Sequence, residues 1–433
     1  MSDQLSGVSE RMRADWNARA KEDAHFYVAF GSRDQDEAGF EATVMHVLPN
    51  LEQELMRLPR ETGGTSWRAL EIGCGPGRLI KPFSRRFGEI HGVDVSDEMI
   101  RLARERLKDI PHAHVHATDG ASLALFQDGY FDFVYSYAVF QHIPSREVVL
   151  QYMREIRRVL KPGGVFRGQF NGLPHSAIPD TWAGVTFTAA DIRTFTRDNG
   201  LQLLALEGVD TQYMWTTWRK FVPGPALPPP FIKGITNAHS YEPVAPKRER
   251  HAAISIWVAN LPEECDLNNL EVLVEGAPAE LFYAGRPVAE GVRQVNVWLP
   301  GNVRTGLVPV ELRLHGRPLC APGTVRIIPA GPLIPRIIAV TDGVNLVEQN
   351  ASSSGLVKLQ VEELSAPELI RITVDGKPAA WFEIKCTDPR APRHEINLGL
   401  PEGLDPGRHL LEILAGRWRL PAEIDVRPSF RNT

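Results

Sequence analysis

Apolar positions near the start of the chain recur at helical spacing over residues 8–30 and 36–58, the second stretch placing Val44, Val47, Leu48, Leu51, Leu55 and Leu58 on one stripe. This spacing predicts two leading helices. From Trp67 to Lys220 short apolar runs (WRALEIG, EIHGVDV, AHVHATD, FDFVYSYAVF, VFRGQF) alternate with helical patterns (RLIKPFSRRF, SDEMIRLARERL, SREVVLQYMREIRRVL). Strands separated by helices join through right-handed crossovers, so a mostly parallel, doubly wound α/β sheet is expected. TAADIRTFTRDNG follows, its Thr188 and Asp191 spaced for a capping box, and LQLLALEG with QYMWTTWRK then predicts an antiparallel closing hairpin.

Between Phe221 and Arg248 periodicity disappears and seven prolines occur, at 223, 225, 228, 229, 230, 243 and 246. A stiff linker is expected there. Beyond it the runs LEVLVEG, QVNVWLP, VPVELRLHG, LIRITVDG, EINLGLP and RHLLEILAG have period two and lie between Pro and Gly turns, which predicts all-β sandwiches. LEVLVEGAP (270–278) matches IRITVDGKP (370–378) at an offset of 100, and QVNVWLP (294–300) matches EINLGLP (395–401) at an offset of 101. The repeat implies two tandem units. The expected division is an α/β domain over 1–220 with a helical lid over 1–60, a linker over 221–248, and sandwiches over 249–333 and 334–433.

At 433 residues, 43% hydrophobic and 23% charged, the chain has the composition of a multidomain globular protein. Its net charge of -5 supplies no general attraction to nucleic acid or to an anionic membrane. Cysteines at 74, 265, 320 and 386 form no C-x-x-C pair, the first residues lack an apolar leader and no run approaches 18 apolar residues, so a cytoplasmic protein is expected.

The most informative segment is Leu70-Glu71-Ile72-Gly73-Cys74-Gly75-Pro76-Gly77-Arg78, a glycine-rich turn between a strand and a helix. Glycines there let the backbone come close to a nucleotide. The next strand, EIHGVDV, ends in Asp94, whose carboxylate suits a ribose diol. A dinucleotide site would want a third glycine where Arg78 stands, to receive a pyrophosphate. Glu71 instead offers a carboxylate to compensate an ammonium. Both departures favour S-adenosylmethionine (SAM) over NAD.

With GVDVSDEMI, HATDG, FDFVYSYAVFQHIP and RRVLKPGG, residues 67–168 resemble the type 11 or type 25 SAM-dependent methyltransferase domain of class I. The resemblance implies that Gly73, Gly75 and Gly77 line the methionyl end, Asp94 binds ribose, and Val95 with Met99 packs against adenine. It further implies that Asp119, followed by Gly120, accepts from the adenine amino group and that the carbonyl of Ser136 accepts from the methionyl amine.

Methyl transfer from a sulfonium is an in-line displacement that needs alignment more than a base. The candidate base is His142, with an imidazole suited to neutral pH. Trp16, His25, Phe26, Gln169, Asn171 and Trp182 are the expected acceptor-pocket residues, and Tyr27 is expected at the cofactor's carboxylate. His112, His114 and His116 alternate on one predicted strand, but a covered parallel sheet argues against a metal site, and none is expected. Trp215 and Trp218 read as packing on the closing hairpin.

The β-modules resemble Ig-like domains, carry no catalytic constellation, and leave three roles open: homodimerisation, recognition of a large substrate, or spacing. The expected function is methylation of an O, N or C atom of a small-molecule acceptor. The alternative is a non-catalytic SAM-fold scaffold acting through its β-modules.

Overall fold

A computed structural model describes residues 2–29, 36–59, 66–173, 179–224, 227–248, 252–288, 291–344, 349–364, 366–388 and 393–427. The chain divides into two units, Met1–Glu22 with His46–Ala330 and Asp23–Met45 with Gly331–Thr433.

In the first unit, strands β1 (Arg68–Ile72), β2 (Glu89–Asp94), β3 (Ala113–Ala117), β4 (Phe131–Ser136), β5 (Leu160–Phe170), β6 (Leu201–Glu207) and β7 (Met214–Lys220) form a sheet in the order β3-β2-β1-β4-β5-β7-β6. β1 to β5 pair in parallel, and β7 lies antiparallel between β5 and β6. The strand order reverses between β1 and β4, and in such a sheet the ligand crevice opens above the carboxyl ends there. All six residues of β4 are buried, as expected of a strand covered on both faces.

The helices obey their end signals. The Oγ of Ser96 caps α5 (Asp97–Arg106) by accepting from Met99 N–H, Ser145 caps α6 (Arg146–Val159) in the same way, and Thr188 with Asp191 forms the capping box of α7 (Ala189–Asp198). Two helices are less regular than their periodicity predicts. The first, α1 (Ser2–Ala29), is interrupted at Asp23, whose Oδ1 accepts from Phe26 N–H and so starts a new helical turn. The second is broken into α2 (Glu37–Ala42), α3 (Leu48–Glu52) and 3-10 turns at Thr43–His46 and Gln53–Arg57, with Pro49 opening α3. The run after the glycine turn is α-helical only over α4 (Ile80–Phe83), where Pro82 lacks a donor, and continues as a 3-10 turn at Ser84–Arg86.

The same sheet continues into the first β-module. That module comprises β8 (Phe231–Asn237), β9 (Val244–Pro246), β10 (Ala253–Ala259), β11 (Leu270–Val274), β12 (Ala277–Pro287), β13 (Val292–Trp298), β14 (Gly306–Leu314), β15 (Arg317–Pro318) and β16 (Gly323–Ile328). Tyr283 of β12 pairs with Ala205 of β6, Arg57 donates to the Ala284 carbonyl (2.9 Å), and Arg193 donates to the carbonyls of Leu281 (2.8 Å) and Leu267. One hydrophobic core runs from Leu70 and Phe166 through Leu203 to Val295 and Val310.

The segment 221–248, expected as a linker, contributes β8 and β9 to this module. Most of its prolines precede β8, and Pro246 sits on β9, an edge strand that among the described strands pairs with β16 alone, where a missing N–H is tolerated.

In the second unit, β17 (Arg336–Asp342), β18 (Ala351–Ser352), β19 (Leu356–Glu362), β20 (Arg371–Val374), β21 (Lys377–Pro378), β22 (Trp381–Asp388), β23 (Arg393–Gly399), β24 (Gly407–Ala415) and β25 (Trp418–Val426) form two sheets, β17-β19-β23-β22 and β18-β25-β24-β20-β21. Val357, Leu359, Ile396 and Leu398 of one sheet share a core with Ile372, Val374, Leu411 and Ile413 of the other, which makes this module a sandwich. The repeat seen in sequence recurs in backbone conformation: Glu275 (φ 53°) with Gly276 (φ 78°) and Asp375 (φ 50°) with Gly376 (φ 76°) turn identically between strands. Among the described residues no helix is long and apolar enough to cross a membrane.

Candidate cofactor and acceptor site

The glycine turn leaves β1 and closes against the end of β2. Gly73 and Cys74 donate their N–H groups to the Val93 carbonyl at 2.8 and 3.0 Å, and Gly77 N–H donates to the Cys74 carbonyl at 3.0 Å. Gly73, Gly75 and Gly77 all have positive φ (71°, 50° and 80°). At Gly73 this is compounded by close packing, since a Cβ there would lie 2.2 Å from Val139 Cγ2.

Asp94 ends β2 beneath the turn. Its Oδ2 accepts from Gly75 N–H and its Oδ1 from Ser96 N–H, both at 2.9 Å. Burial raises its pKa, opposed by these N–H donors. Each oxygen has a second lone pair, so the acid can hold the turn and still accept from a diol. Asp119 is arranged similarly: Oδ1 takes the N–H groups of Ala121 (2.9 Å) and Ser122 (2.7 Å), which leaves Oδ2 for an amino group. Around them, a Cβ on Gly120 (φ 79°) would meet Val95 Cγ2 at 2.8 Å and Met12 Cε at 3.2 Å. Gly120, Val95 and Met12 therefore meet at the place expected for adenine, while Met99 is buried beneath with its N–H capped by Ser96.

Next to the turn on β1, Glu71 is buried and accepts from the Tyr135 hydroxyl at 3.0 Å. Burial raises its pKa to about 8, with the Tyr135 bond and the nearby Arg78 charge pulling the other way. Ser136 ends β4 and its Oγ donates to the Ile72 carbonyl (3.0 Å), tying the ends of β1 and β4 together. Two residues on, Ala138 holds the left-handed conformation (φ 56°), and its N–H donates to Gln169 Oε1 at 3.0 Å. Gln169 is fully buried, and its Nε2 has no hydrogen-bond partner among the described residues. Tyr137 stacks on Trp215 at 5.6 Å with Arg167 over the other ring at 4.8 Å, so Trp215 faces the sheet end while Trp218 is core.

The front part of α1 covers this edge. Asn17 Oδ1 accepts from Ser96 Oγ (2.7 Å) and Glu98 N–H (3.0 Å), Arg13 donates to the Thr118 carbonyl (2.7 Å), and Arg19 donates to the Thr181 carbonyl (2.9 Å). Trp16 meets His142 edge-on at 5.6 Å, and Arg19 lies over both Trp16 and the half-exposed Trp182. His142 Nδ1 is 2.7 Å from the Trp182 carbonyl, so Nδ1 carries the proton and Nε2, 3.2 Å from Gln141 Nε2, is the accepting nitrogen. The near-neutral imidazole expected from sequence is not found: burial lowers the pKa of His142 to about 4. Asn171 closes a turn, accepting from Phe187 N–H (2.8 Å) with its carbonyl and from Leu173 N–H (3.2 Å) with its side chain.

His25, Phe26 and Tyr27 fall in the second unit, where His25 stacks on Phe40 at 4.0 Å. Met12, Arg13, Asn17 and Arg19 were missed by sequence reasoning, because periodicity announces a helix without saying what it covers. The expected histidine strand is β3, and its parallel register sets His114 beside His91, a residue not singled out from sequence. His91 lies between Glu89 Oε1 (2.8 Å) and His116 Nε2 (3.3 Å), and His112 faces the Ser84 carbonyl at 3.2 Å. Among the described residues no group of three or more His, Cys, Asp or Glu is placed to hold a metal ion.

Residues 70–167 match the family model described as a methyltransferase domain. The chain is 36% identical over 97 residues to phosphoethanolamine N-methyltransferase 2 of Caenorhabditis elegans (22% of each chain). It is 31% identical over 158 residues to trans-aconitate 2-methyltransferase of Rhodopseudomonas palustris, covering 33% of this chain and 59% of that one. The chain thus spans less than two thirds of the length of these curated relatives. A solved magnesium protoporphyrin IX methyltransferase from Synechocystis with bound SAM is 18% identical, with a TM-score of 0.36, over 49% of this chain and 97% of that one. Residues 70–167, which hold the glycine turn and the acid at the end of β2, thus match a methyltransferase domain, here followed by two β-rich modules.

Proposed function

We propose that the chain binds SAM and transfers its methyl group to an O, N or C atom of a small-molecule acceptor. The observation that carries this reading is the placement of Asp94, which uses one lone pair of each oxygen to hold the turn and leaves the others for a ribose diol. The bound cofactor supplies an activated methyl group on a sulfonium, so no further activation is required of the protein.

The roles then divide by position. Glu71, buried and pushed toward the neutral acid, gains a countercharge when an ammonium group is seated above the turn. Asp119 and the Gly120 backbone, with Val95 and Met12, form the adenine end. Ser136 offers its carbonyl to the methionyl amine. The acceptor pocket is assigned to Trp16, Gln169, Asn171 and Trp182. Gln169 is positioned by Ala138, so its amide nitrogen is available to an acceptor oxygen. A small molecule is supported by the relatives, whose names specify phosphoethanolamine and trans-aconitate.

His142 has too little affinity for a proton to serve as a strong base at neutral pH. We assign it a positioning role, holding the turn at Phe140–His142 against the Trp182 carbonyl. Incubating the protein with methyl-labelled SAM and a panel of carboxylate, amine and phenol acceptors tests the reading. Label transfer to one class, lost in Asp94→Ala, supports it, and hydrolysis or no turnover with every class counts against it.

A further inference from the structure

The internal repeat points to an interaction made by one strand of the second module. β22 occupies there the place that β12 occupies in the first module. Each pairs with a strand built from a repeated block, Tyr283 lying opposite Asn296 in one and Glu383 opposite Asn397 in the other. In the first module Tyr283 goes on to pair with Ala205 of β6, so this position joins the sandwich to another strand. In the second, β22 pairs with β23 alone among the described strands. Trp381 is 49% exposed and Phe382 40% exposed, with Glu383 and Lys385 exposed beside them. An open edge with large apolar residues is a template for strand addition.

We propose that β22 pairs antiparallel with β22 of a second copy of this chain about a two-fold axis at Ile384, fusing two four-stranded sheets into one. Charge selects this occupant and this register. Centred on Ile384, the pairing sets Glu383 opposite the partner's Lys385 and Lys385 opposite the partner's Glu383. Centring on Glu383 sets that carboxylate opposite its own copy, and centring on Lys385 does the same with the ammonium, and like charges directly opposite are destabilising. The outer face of the sheet already alternates in sign, with Lys358 at 3.2 Å from Glu395 and Lys385 at 3.2 Å from Glu383, so the ladder continues across the axis. Trp381 lies over Gly399, where a Cβ would approach Nε1 to 2.5 Å, and this holds the indole at the edge. A two-fold contact is self-limiting and buries both open edges at once.

Sedimentation equilibrium of the full chain tests the pairing with Glu383→Lys, Lys385→Glu and the double exchange. The wild type is expected to be a dimer, each single reversal to weaken it by about tenfold or more, and the double exchange to restore it. A monomeric wild type over the micromolar range, a dimer indifferent to the single reversals, a double exchange that fails to rescue, or open-ended assembly would each overturn the proposal.

Discussion

The hydroxyl of Tyr135 donates to Glu71 Oε2 at 3.0 Å, a bond between neighbouring strands in a fully buried layer directly below the glycine turn. Burial raises the pKa of Glu71 to about 8 from an ordinary value of 4.5. The folded protein therefore keeps a proton that the unfolded chain releases. The stability this provides is fully present below pH 4.5 and is lost as pH rises toward about 8, with a slope approaching about 1.4 kcal/mol per pH unit. Urea unfolding between pH 5 and 7 is expected to show this fall, and Glu71→Gln to flatten it. An ammonium seated above the turn favours the carboxylate, so SAM binding at pH 7 is expected to release protons, measurable by calorimetry in buffers of different ionisation heat.

Gly73 and Gly200 separate backbone strain from crowding. Both have positive φ, 71° and 63°, but a Cβ at Gly73 would come within 2.2 Å of Val139 Cγ2 whereas nothing lies within 4 Å at Gly200. Gly200→Ala is expected to cost about 1 kcal/mol, and Gly73→Ala at least about 2 kcal/mol more, because overpacking adds to strain. Chemical denaturation of the two variants checks the difference.

His142 is held neutral, with its pKa lowered to about 4 by burial. Its protonation lies below the working range, so the pH–rate profile is expected to show no inflection from this group between pH 5 and 8. His142→Gln is expected to raise KM through the loosened Trp182 loop while leaving the shape of the profile unchanged. A lost inflection near neutral pH in that variant would assign His142 to proton transfer instead.

Arg57 joins the α/β domain to the first module. Its side chain and that of Glu54 are nearly fully buried, at 4% and 2% exposure, and they form an ion pair. Arg57 also donates to the Ala284 carbonyl at 2.9 Å. Arg57→Met leaves the Glu54 carboxylate buried without its cation, which is expected to destabilise the protein by about 3 kcal/mol. The further change Glu54→Leu is expected to recover most of the loss in thermal unfolding.

Local chemistry was legible in the sequence, and long-range pairing was not. The turn from Gly73 to Gly77, Asp94 and the Thr188–Asp191 capping box declare themselves because spacing and side-chain chemistry are local properties. The repeat from Leu270 to Pro278 announced a matching turn for the same reason. The second helix failed because the apolar stripe from Val44 to Leu58 ignores Pro49. The segment expected as a linker holds strands because its prolines stand before β8, between β8 and β9, and on an edge strand, positions that do not interrupt a ladder. Nothing in sequence pattern couples Tyr283 to Ala205 or Asn17 to Ser96, since each contact depends on surfaces folded from distant segments. The low pKa of His142 likewise follows from burial under Trp16 and Trp182.

The central claim is that the turn and Asp94 hold SAM. Its most direct test is calorimetric titration of the full chain with SAM, S-adenosylhomocysteine and NAD, beside an Asp94→Ala variant shown to be folded. Micromolar binding of the first two, none of NAD, and loss of binding in the variant are predicted. Folded wild-type protein that binds neither SAM nor its product, or that binds NAD instead, would contradict it.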